Sequence, residues 1–132
     1  MQSLKFKYLP TDLPPVLDWE VGQDNGNGDA DKALTWLILV EKELKKTPII
    51  YTGPSFFSSI LCDNKGTFKQ FPLWIANYSS EPLIPAPWNN WLFWQYSETG
   101  KVSGINGECD LNYFNGTLAD LTAFASKEVS FL

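Results

Sequence analysis

The chain has 132 residues, of which 44% are hydrophobic and 15% aromatic, and its formal net charge is -5. This length and composition predict one globular domain with a packed core and exclude a disordered chain. The acidic balance excludes nucleic acid as a partner, and the absence of histidine excludes Ser-His and Cys-His nucleophiles and the usual zinc sites.

Cys62 and Cys109 are isolated in the sequence and lack the CxxC spacing of a metal or redox motif. We expect free, buried thiols, because unpaired cysteine commonly packs as a small hydrophobic residue; a single disulfide stays open as the alternative. No apolar run approaches transmembrane length, and residues 1–15 lack the pattern of a signal peptide. We therefore expect no membrane partner.

The first strong strand pattern covers residues 16–20, between a proline pair and a polar loop rich in glycine and asparagine. Because side chains alternate along a strand, Asp18 and Glu20 are expected on one face and Trp19 on the other. The loop at residues 23–28 is not a calcium-binding EF-hand, because Thr35 stands where that motif needs glutamate. Two acids in one pocket are thus predicted, although such a pair alone is more typical of a solvated strand end.

Helix and strand patterns alternate along the rest of the chain. An apolar stripe, acidic residues at its start and lysines at its end predict a helix over residues 29–46. The other predicted strands are 48–53, 71–78, 91–96 and a strand end at 109–112. The other predicted helices are 54–61 and 117–126, and Asn115 or Thr117 is expected to cap the second of these. Strands that are apolar on both faces and alternate with helices predict an α/β protein with a parallel sheet.

Polar and aromatic residues recur where the predicted strands end, which is where α/β barrels build their active sites. They are Tyr51, Trp74, Tyr78, Gln95 and Asp110. Paired carboxylates without histidine suit glycoside hydrolysis, in which one carboxyl group protonates the leaving oxygen and another stabilises or attacks the cationic sugar centre. Trp91 and Trp94 we assign to the core.

Four stretches, in this order and spacing, resemble the C-terminal part of glycoside hydrolase family 25, the lysozymes that cleave bacterial peptidoglycan. They are LPPVLDWE, IIYTG, PLWIANY and WLFWQYSETGKVSGINGECDLNYFNG. The resemblance implies a modified TIM-type (β/α) barrel. It also implies an N-acetylmuramidase that hydrolyses the β-1,4 bond between N-acetylmuramic acid and N-acetylglucosamine without metal or other cofactor. The implied partner is the peptidoglycan glycan strand, reached at the cell wall after export or release.

The resemblance also implies roles for single residues. Glu20 matches the general acid/base, and Asp18 matches its partner, which steers the substrate N-acetyl group or stabilises the oxocarbenium-like centre. The expected substrate-binding positions are Tyr51, Trp74, Tyr78, Gln95, Asp110 and Asn112. We expect the pKa of Glu20 to be raised by desolvation beside aromatic residues and by repulsion from Asp18, which suits it to donate a proton.

Family members begin with a strand that carries an aspartate, and neither that strand nor the next few has a counterpart here. We expect residues 1–132 to be one family 25-like catalytic domain without its N-terminal strands, weakly active or inactive alone. Its two open sheet edges favour self-association. Two alternatives stay open: a non-catalytic sugar-binding remnant, and a chitinase-like family 18 glycosidase, whose longer DxxDxDxE pattern is broken at Val16.

Overall fold

The computed structural model describes residues 8–22, 28–60 and 65–131. Most of the polar loop discussed above, at 23–27, and Cys62 lie outside these described residues. Within them, no helix is long and apolar enough to cross a membrane. The thiol of Cys109 is free and partly buried, with its Sγ 3.6 Å from the carbonyl oxygen of Gly100, which confirms the prediction of a free thiol for this cysteine.

A single five-stranded sheet, in the order β1-β2-β3-β4-β5, forms the centre of the fold. The strands are β1 Val16–Asp18, β2 Ile49–Thr52, β3 Leu73–Ala76, β4 Phe93–Gly100 and β5 Cys109–Phe114. β1 to β4 run parallel, as predicted, but β5 runs antiparallel to β4. The described strands therefore form an open mixed sheet with β1 and β5 at its edges, and they do not close into the TIM-type barrel that the resemblance implies.

The prediction of a parallel sheet is wrong only for β5, because the chain turns back directly after β4. Gly104 and Gly107 adopt positive φ angles of 88° and 90°, a conformation that glycine adopts without steric cost. They lie in the short connection between β4 and β5, which contains no helix among its residues. Parallel neighbours need a crossover of a dozen or more residues, so that this tight connection permits only antiparallel pairing.

Helices connect β1 to β2 and β2 to β3, whereas the connection from β3 to β4, residues 77–92, contains none. Within the described ranges the helices are α1 Asp29–Leu44, α2 Pro54–Ser59, a 3-10 helix at Lys65–Gln70, and α3 Leu118–Ser126 after the last strand. α1 ends before the predicted Lys46 because Lys45 takes a left-handed conformation and its N–H donates to the carbonyl oxygen of Glu41. Thr117, rather than Asn115, caps α3 through a reciprocal capping box with Asp120.

The hydrophobic core lies between the helices and one face of the sheet. It comprises Trp19, Ala30, Ala33, Leu37, Ile50, Phe57, Ile60, Phe68, Phe71, Leu73, Ile75 and Trp88, with Trp91 and Trp94 packed against it as partly buried residues. Trp19 is buried, whereas Asp18 and Glu20 are exposed, as side-chain alternation predicts. The core side of β1 is thus fixed by Trp19, and this leaves the two acids on the opposite face.

Lys46 joins the two ends of the described chain. Its side chain is only 1% exposed, and its ammonium group donates to the carbonyl oxygens of Pro10 at 2.5 Å, Asp12 at 2.7 Å and Ala125. A buried ammonium group is costly unless its protons are bonded, and these three oxygens match its three donors. The segment that leads into β1 is therefore tied to α3, and both are tied to the end of α1.

Candidate active site

A cavity of about 370 Å³ opens on the face of the sheet opposite the core. It is lined by Val16, Asp18, Glu20, Tyr51, Trp74, Gln95, Asp110 and Asn112. Every predicted site residue except Tyr78 lies in this lining. Val16 was not predicted, although the alternation that pairs Asp18 with Glu20 also places Val16 on the same face.

Strand register explains why residues so far apart in sequence meet here. Asp18 lies opposite Tyr51, and Tyr51 lies opposite Trp74. At the other side of the cavity, Gln95 lies opposite Asn112. Because directly opposed residues of neighbouring strands point to the same face, the sheet presents these side chains as one surface.

Asp18, at the end of β1, and Glu20, two residues beyond it, interact with each other. The pKa of Glu20 is raised from its ordinary value, first by a side-chain hydrogen bond with Asp18, then by partial desolvation and by the negative charge of Asp18. This confirms the predicted direction. The expected main cause, desolvation beside aromatic residues, is only second, because Glu20 stands exposed at the rim of the cavity.

Tyr51 lies between the acids and the amide of Gln95. Its hydroxyl group donates to Oε1 of Gln95, a side chain that is almost completely buried. The pKa of Tyr51 is raised by burial first and then by the negative charge of Glu20. The phenol therefore stays protonated, and since Gln95 takes its proton in a hydrogen bond, the oxygen lone pairs remain available as acceptors.

Trp74 forms a fixed aromatic wall of the cavity. Its indole Nε1 donates to Oδ1 of Asn112 at 2.8 Å. Its ring meets that of Tyr51 edge to face at a centroid distance of 5.5 Å and packs against Phe93 at 5.1 Å. Held by a hydrogen bond and by two rings, the indole keeps one orientation toward the cavity.

Tyr78 is the predicted site residue that the cavity lining does not include. β3 ends at Ala76, so that Tyr78 belongs to the following loop, where half of its surface is exposed. Its pKa is raised by partial desolvation, by the charge of Glu98 and a hydrogen bond with it, and by the charges of Asp110 and Glu20. Tyr78 thus stands outside the cavity but within electrostatic reach of two of its carboxylates.

Among the described residues, no group of three or more histidine, cysteine, aspartate or glutamate side chains could hold a metal ion. The carboxylates of the cavity are one interacting pair, Asp18 and Glu20, and Asp110, which reaches the same cavity from β5 at the other edge of the sheet. The predicted independence from metal and other cofactors stays a prediction.

The raised pKa of Glu20 predicts a pH-dependent cost in stability. The folded chain binds the Glu20 proton more tightly than the unfolded chain, so protonated Glu20 increases the free energy of unfolding. This contribution is complete below the ordinary glutamate pKa of about 4.3 and is lost as pH rises through the raised pKa. Glu20→Gln cannot ionise. We expect its melting temperature to exceed that of the wild type near neutral pH, by a small margin because the pair is solvent-exposed.

Thermal melts followed by circular dichroism between acid and neutral pH measure this difference. Glu43→Gln, which removes an exposed carboxyl group on α1, is the matched control and should follow the wild type at every pH. A Glu20→Gln melting temperature at or below that of the wild type near neutral pH would show that ionised Glu20 beside Asp18 does not destabilise the fold.

Comparison with known proteins assigns the chain to a family. The profile of glycosyl hydrolases family 25 matches residues 1–105. This match covers well over half of the 132 residues. The chain therefore belongs to glycosyl hydrolases family 25.

The relatives are longer than this chain. The "Uncharacterized protein YegX" of Escherichia coli (strain K12) is 41% identical over 117 residues, which are 86% of this chain and 40% of that protein. Lysozyme M1 of Streptomyces globisporus is 39% identical over 80 residues, 60% of this chain and 27% of that enzyme. The solved structure of the bacterial lysozyme from Streptomyces coelicolor superposes with a TM-score of 0.73 at 32% identity and covers 86% of this chain and 56% of that one. The chain thus corresponds to the C-terminal part of family members.

Proposed function

We propose that this chain supplies the acid/base side of a peptidoglycan hydrolase that cleaves the β-1,4 bond between N-acetylmuramic acid and N-acetylglucosamine. One observation carries the proposal: the interacting pair Asp18 and Glu20, a third carboxylate, Asp110, and the indole of Trp74 all line one cavity. Acids and an aromatic wall in one cleft are what hydrolysis of a sugar polymer needs. The relatives named as lysozymes support peptidoglycan as the substrate.

Glu20 is the proposed general acid/base. Its raised pKa keeps a larger protonated fraction near neutral pH than an ordinary glutamate has, so that it can donate a proton to the leaving oxygen. Asp18 accepts the hydrogen bond of protonated Glu20 and, as a carboxylate, stabilises the oxocarbenium-like centre or orients the N-acetyl group. Two acids, one at the end of β1 and one just after it, thus take two roles.

The remaining lining residues are proposed to hold the sugar. The face of Trp74 offers an apolar platform, while the amides of Gln95 and Asn112 and the hydroxyl group of Tyr51 offer hydrogen bonds to hydroxyl and N-acetyl groups. Asp110 accepts from sugar hydroxyl groups on the far side. At about 370 Å³, the cavity lies within the range of about 300–1,000 Å³ that is usual for small-ligand sites.

The test uses a fusion protein, because the chain spans 56% of the Streptomyces coelicolor lysozyme chain. In this fusion, called the completed lysozyme below, the part of the Streptomyces coelicolor enzyme that precedes the matched segment is joined to residue 1 of this chain. We expect the completed lysozyme to clear suspensions of bacterial cell walls and to leave chitin intact. The 132-residue chain alone should clear cell walls far more slowly.

Two outcomes would contradict the proposal. Equal hydrolysis of chitin and cell walls would favour the family 18-like alternative. Binding of glycan by a folded completed lysozyme without any hydrolysis would favour the sugar-binding remnant.

A further inference from the structure

A second cavity, of about 300 Å³, opens at the amino ends of β3 and β4. Its lining includes Lys69, Phe71, Leu73, Asn89, Asn90 and Trp91, and it shares no lining residue with the candidate active site. Leu73 belongs to the core, whereas Trp74, the next residue of β3, lines the active site, so the two cavities lie on opposite faces of the sheet. The second cavity is therefore a site of its own, with a volume at the lower end of the range of about 300–1,000 Å³ that is usual for small-ligand sites.

Trp91 is a partly buried and well-anchored wall of the second cavity. Its main-chain N–H donates to Oδ1 of Asn90 at 2.9 Å, and its carbonyl oxygen accepts from Nδ2 of Asn115 at 2.9 Å. The two asparagine side chains are themselves joined by a hydrogen bond of 3.0 Å. The indole ring packs edge to face against that of Trp94, with a centroid distance of 5.9 Å. Backbone and ring are thus both held, which lowers the entropic cost of binding a ligand against this ring.

The indole N–H of Trp91 has no acceptor within the described residues. Residues 71–95 contain three other tryptophans, and the indole N–H of each donates at 2.8 Å to an oxygen of the chain: Trp74 to Asn112, Trp88 to Phe71 and Trp94 to Asn77. A tryptophan that is even partly buried usually finds such a partner. At the wall of a cavity, this unused donor is available to a ligand.

The charge of the second cavity is opposite to that of the candidate active site. Lys69 is the one charged residue in its lining, and this exposed lysine forms no ion pair with any described residue. Asn90 adds a donor, because its Oδ1 accepts two hydrogen bonds while its Nδ2 has no acceptor in the described part of the chain. Three carboxylates line the active site, and none lines this cavity. An aromatic wall, amide and indole donors and one ammonium group therefore suit a sugar that carries an anionic branch.

We infer that the second cavity binds an N-acetylmuramoyl-peptide unit of peptidoglycan without cleaving it. The apolar face of the sugar would stack on Trp91, its acetamido oxygen would accept from the free indole or Asn90 donor, and a peptide carboxylate would pair with Lys69. Hydrolysis is not expected here, since no carboxylate lines the cavity. The choice of peptidoglycan as the polymer rests on the proposed function. A second point of attachment would keep the active site at high local concentration on the insoluble wall.

The test titrates the 132-residue chain, labelled with ¹⁵N, with N-acetylmuramoyl-L-alanyl-D-isoglutamine and follows the amide and indole signals by NMR. We expect the indole signal of Trp91, identified by its absence in Trp91→Phe, to shift. Trp91→Ala should weaken binding, followed at the Asn89 amide, about tenfold or more, because the aromatic wall is lost. Lys69→Gln should weaken it about two- to fivefold, as expected for an exposed ion pair. The matched controls Trp36→Ala and Lys42→Gln, at exposed positions of α1, should bind like the wild type.

Circular dichroism establishes that each variant is folded. If Trp91→Ala is not, Trp91→Phe keeps an aromatic ring and removes the N–H, and it should weaken binding about two- to tenfold.

Three outcomes would overturn the inference: an unmoved Trp91 signal, equally tight binding of neutral di-N-acetylchitobiose at the Asn89 amide, or binding by Lys69→Gln as tight as by Lys42→Gln. A shift confined to the Trp74 signal would place the ligand in the active site and overturn it too. Binding at Trp91 without cell-wall lysis by the completed lysozyme would leave the second cavity as a binding site and count against the proposed function alone. Lysis without binding at Trp91 would do the reverse.

Discussion

Glu20→Gln should reduce the rate of cell-wall lysis by the completed lysozyme by about 100- to 10,000-fold, the range expected when a general acid is lost. Glutamine keeps the size of the side chain and its hydrogen bonding to Asp18, but it cannot transfer a proton. The effect should fall on kcat, while the binding of glycan changes little, because the platform at Trp74 and the amides of the cavity are untouched. Clearing of cell-wall suspensions, with glycan binding measured separately, gives both quantities.

The matched control is Glu43→Gln, the same substitution on the exposed side of α1. It should lyse cell walls at the wild-type rate. The wild-type rate itself should fall as pH rises through the raised pKa of Glu20, because the acid form is consumed. Full activity of Glu20→Gln would show that Glu20 is not the general acid.

Phe57→Ala should lower the free energy of unfolding of the chain by about 3–5 kcal/mol, the usual cost of deleting a fully buried phenylalanine side chain. Phe57 is completely buried at the centre of an aromatic cluster. Its ring centroid lies 5.8 Å from that of Trp19, 6.0 Å from Phe68 and 4.6 Å from Trp88. Removing this ring leaves a cavity against three aromatic neighbours that cannot all move to fill it.

Because Trp19 stands between Asp18 and Glu20 in the sequence, the same substitution should loosen the strand that presents the acids. Urea denaturation measures the loss, and Leu83→Ala, at an exposed position, should change stability by no more than about 0.5 kcal/mol. A loss for Phe57→Ala as small as that of Leu83→Ala would show that the aromatic cluster contributes little to stability.

The order of the helices and strands and most of the cavity could be predicted from the sequence. Each depends on a local pattern: alternation places Asp18 and Glu20 on one face and Trp19 in the core, and a helical stripe with opposite charges at its ends marks α1. The sheet then gathers Asp18, Tyr51 and Trp74 because they lie opposite one another on neighbouring parallel strands.

What could not be predicted depends on contacts between segments distant in sequence. The reversal of β5 results from a short connection in which Gly104 and Gly107 take positive φ angles. The glycines of residues 97–106 indicate a hairpin-like excursion in the sequence, but they do not reveal which strand pairs with β4. The tie from Lys46 to three carbonyl oxygens joins residues up to 79 positions apart. The leading cause of the raised pKa of Glu20, its hydrogen bond with Asp18, depends on rotamers that no sequence pattern encodes.

The open edge of β1 has a functional consequence. β1 contains three residues and carries the proposed acid/base pair at its end, yet it is hydrogen-bonded on one side only among the described strands. Its position depends on β2, on Trp19 in the core and on the Lys46 tie. A strand paired on the other side would hold Asp18 and Glu20 more firmly, which is why we expect the completed lysozyme to exceed the isolated chain in activity.

The reducing ends that the completed lysozyme releases from purified peptidoglycan provide the sharpest measurement of the proposed chemistry. Cleavage of the bond between N-acetylmuramic acid and N-acetylglucosamine, on the muramic acid side, leaves N-acetylmuramic acid at each new reducing end. Borohydride should therefore reduce these ends to the alditol of N-acetylmuramic acid, which mass spectrometry detects, and Glu20→Gln should form this product at least about 100-fold more slowly. Reduced N-acetylglucosamine in its place, or new reducing ends formed by Glu20→Gln at the wild-type rate, would contradict a muramidase with Glu20 as its acid.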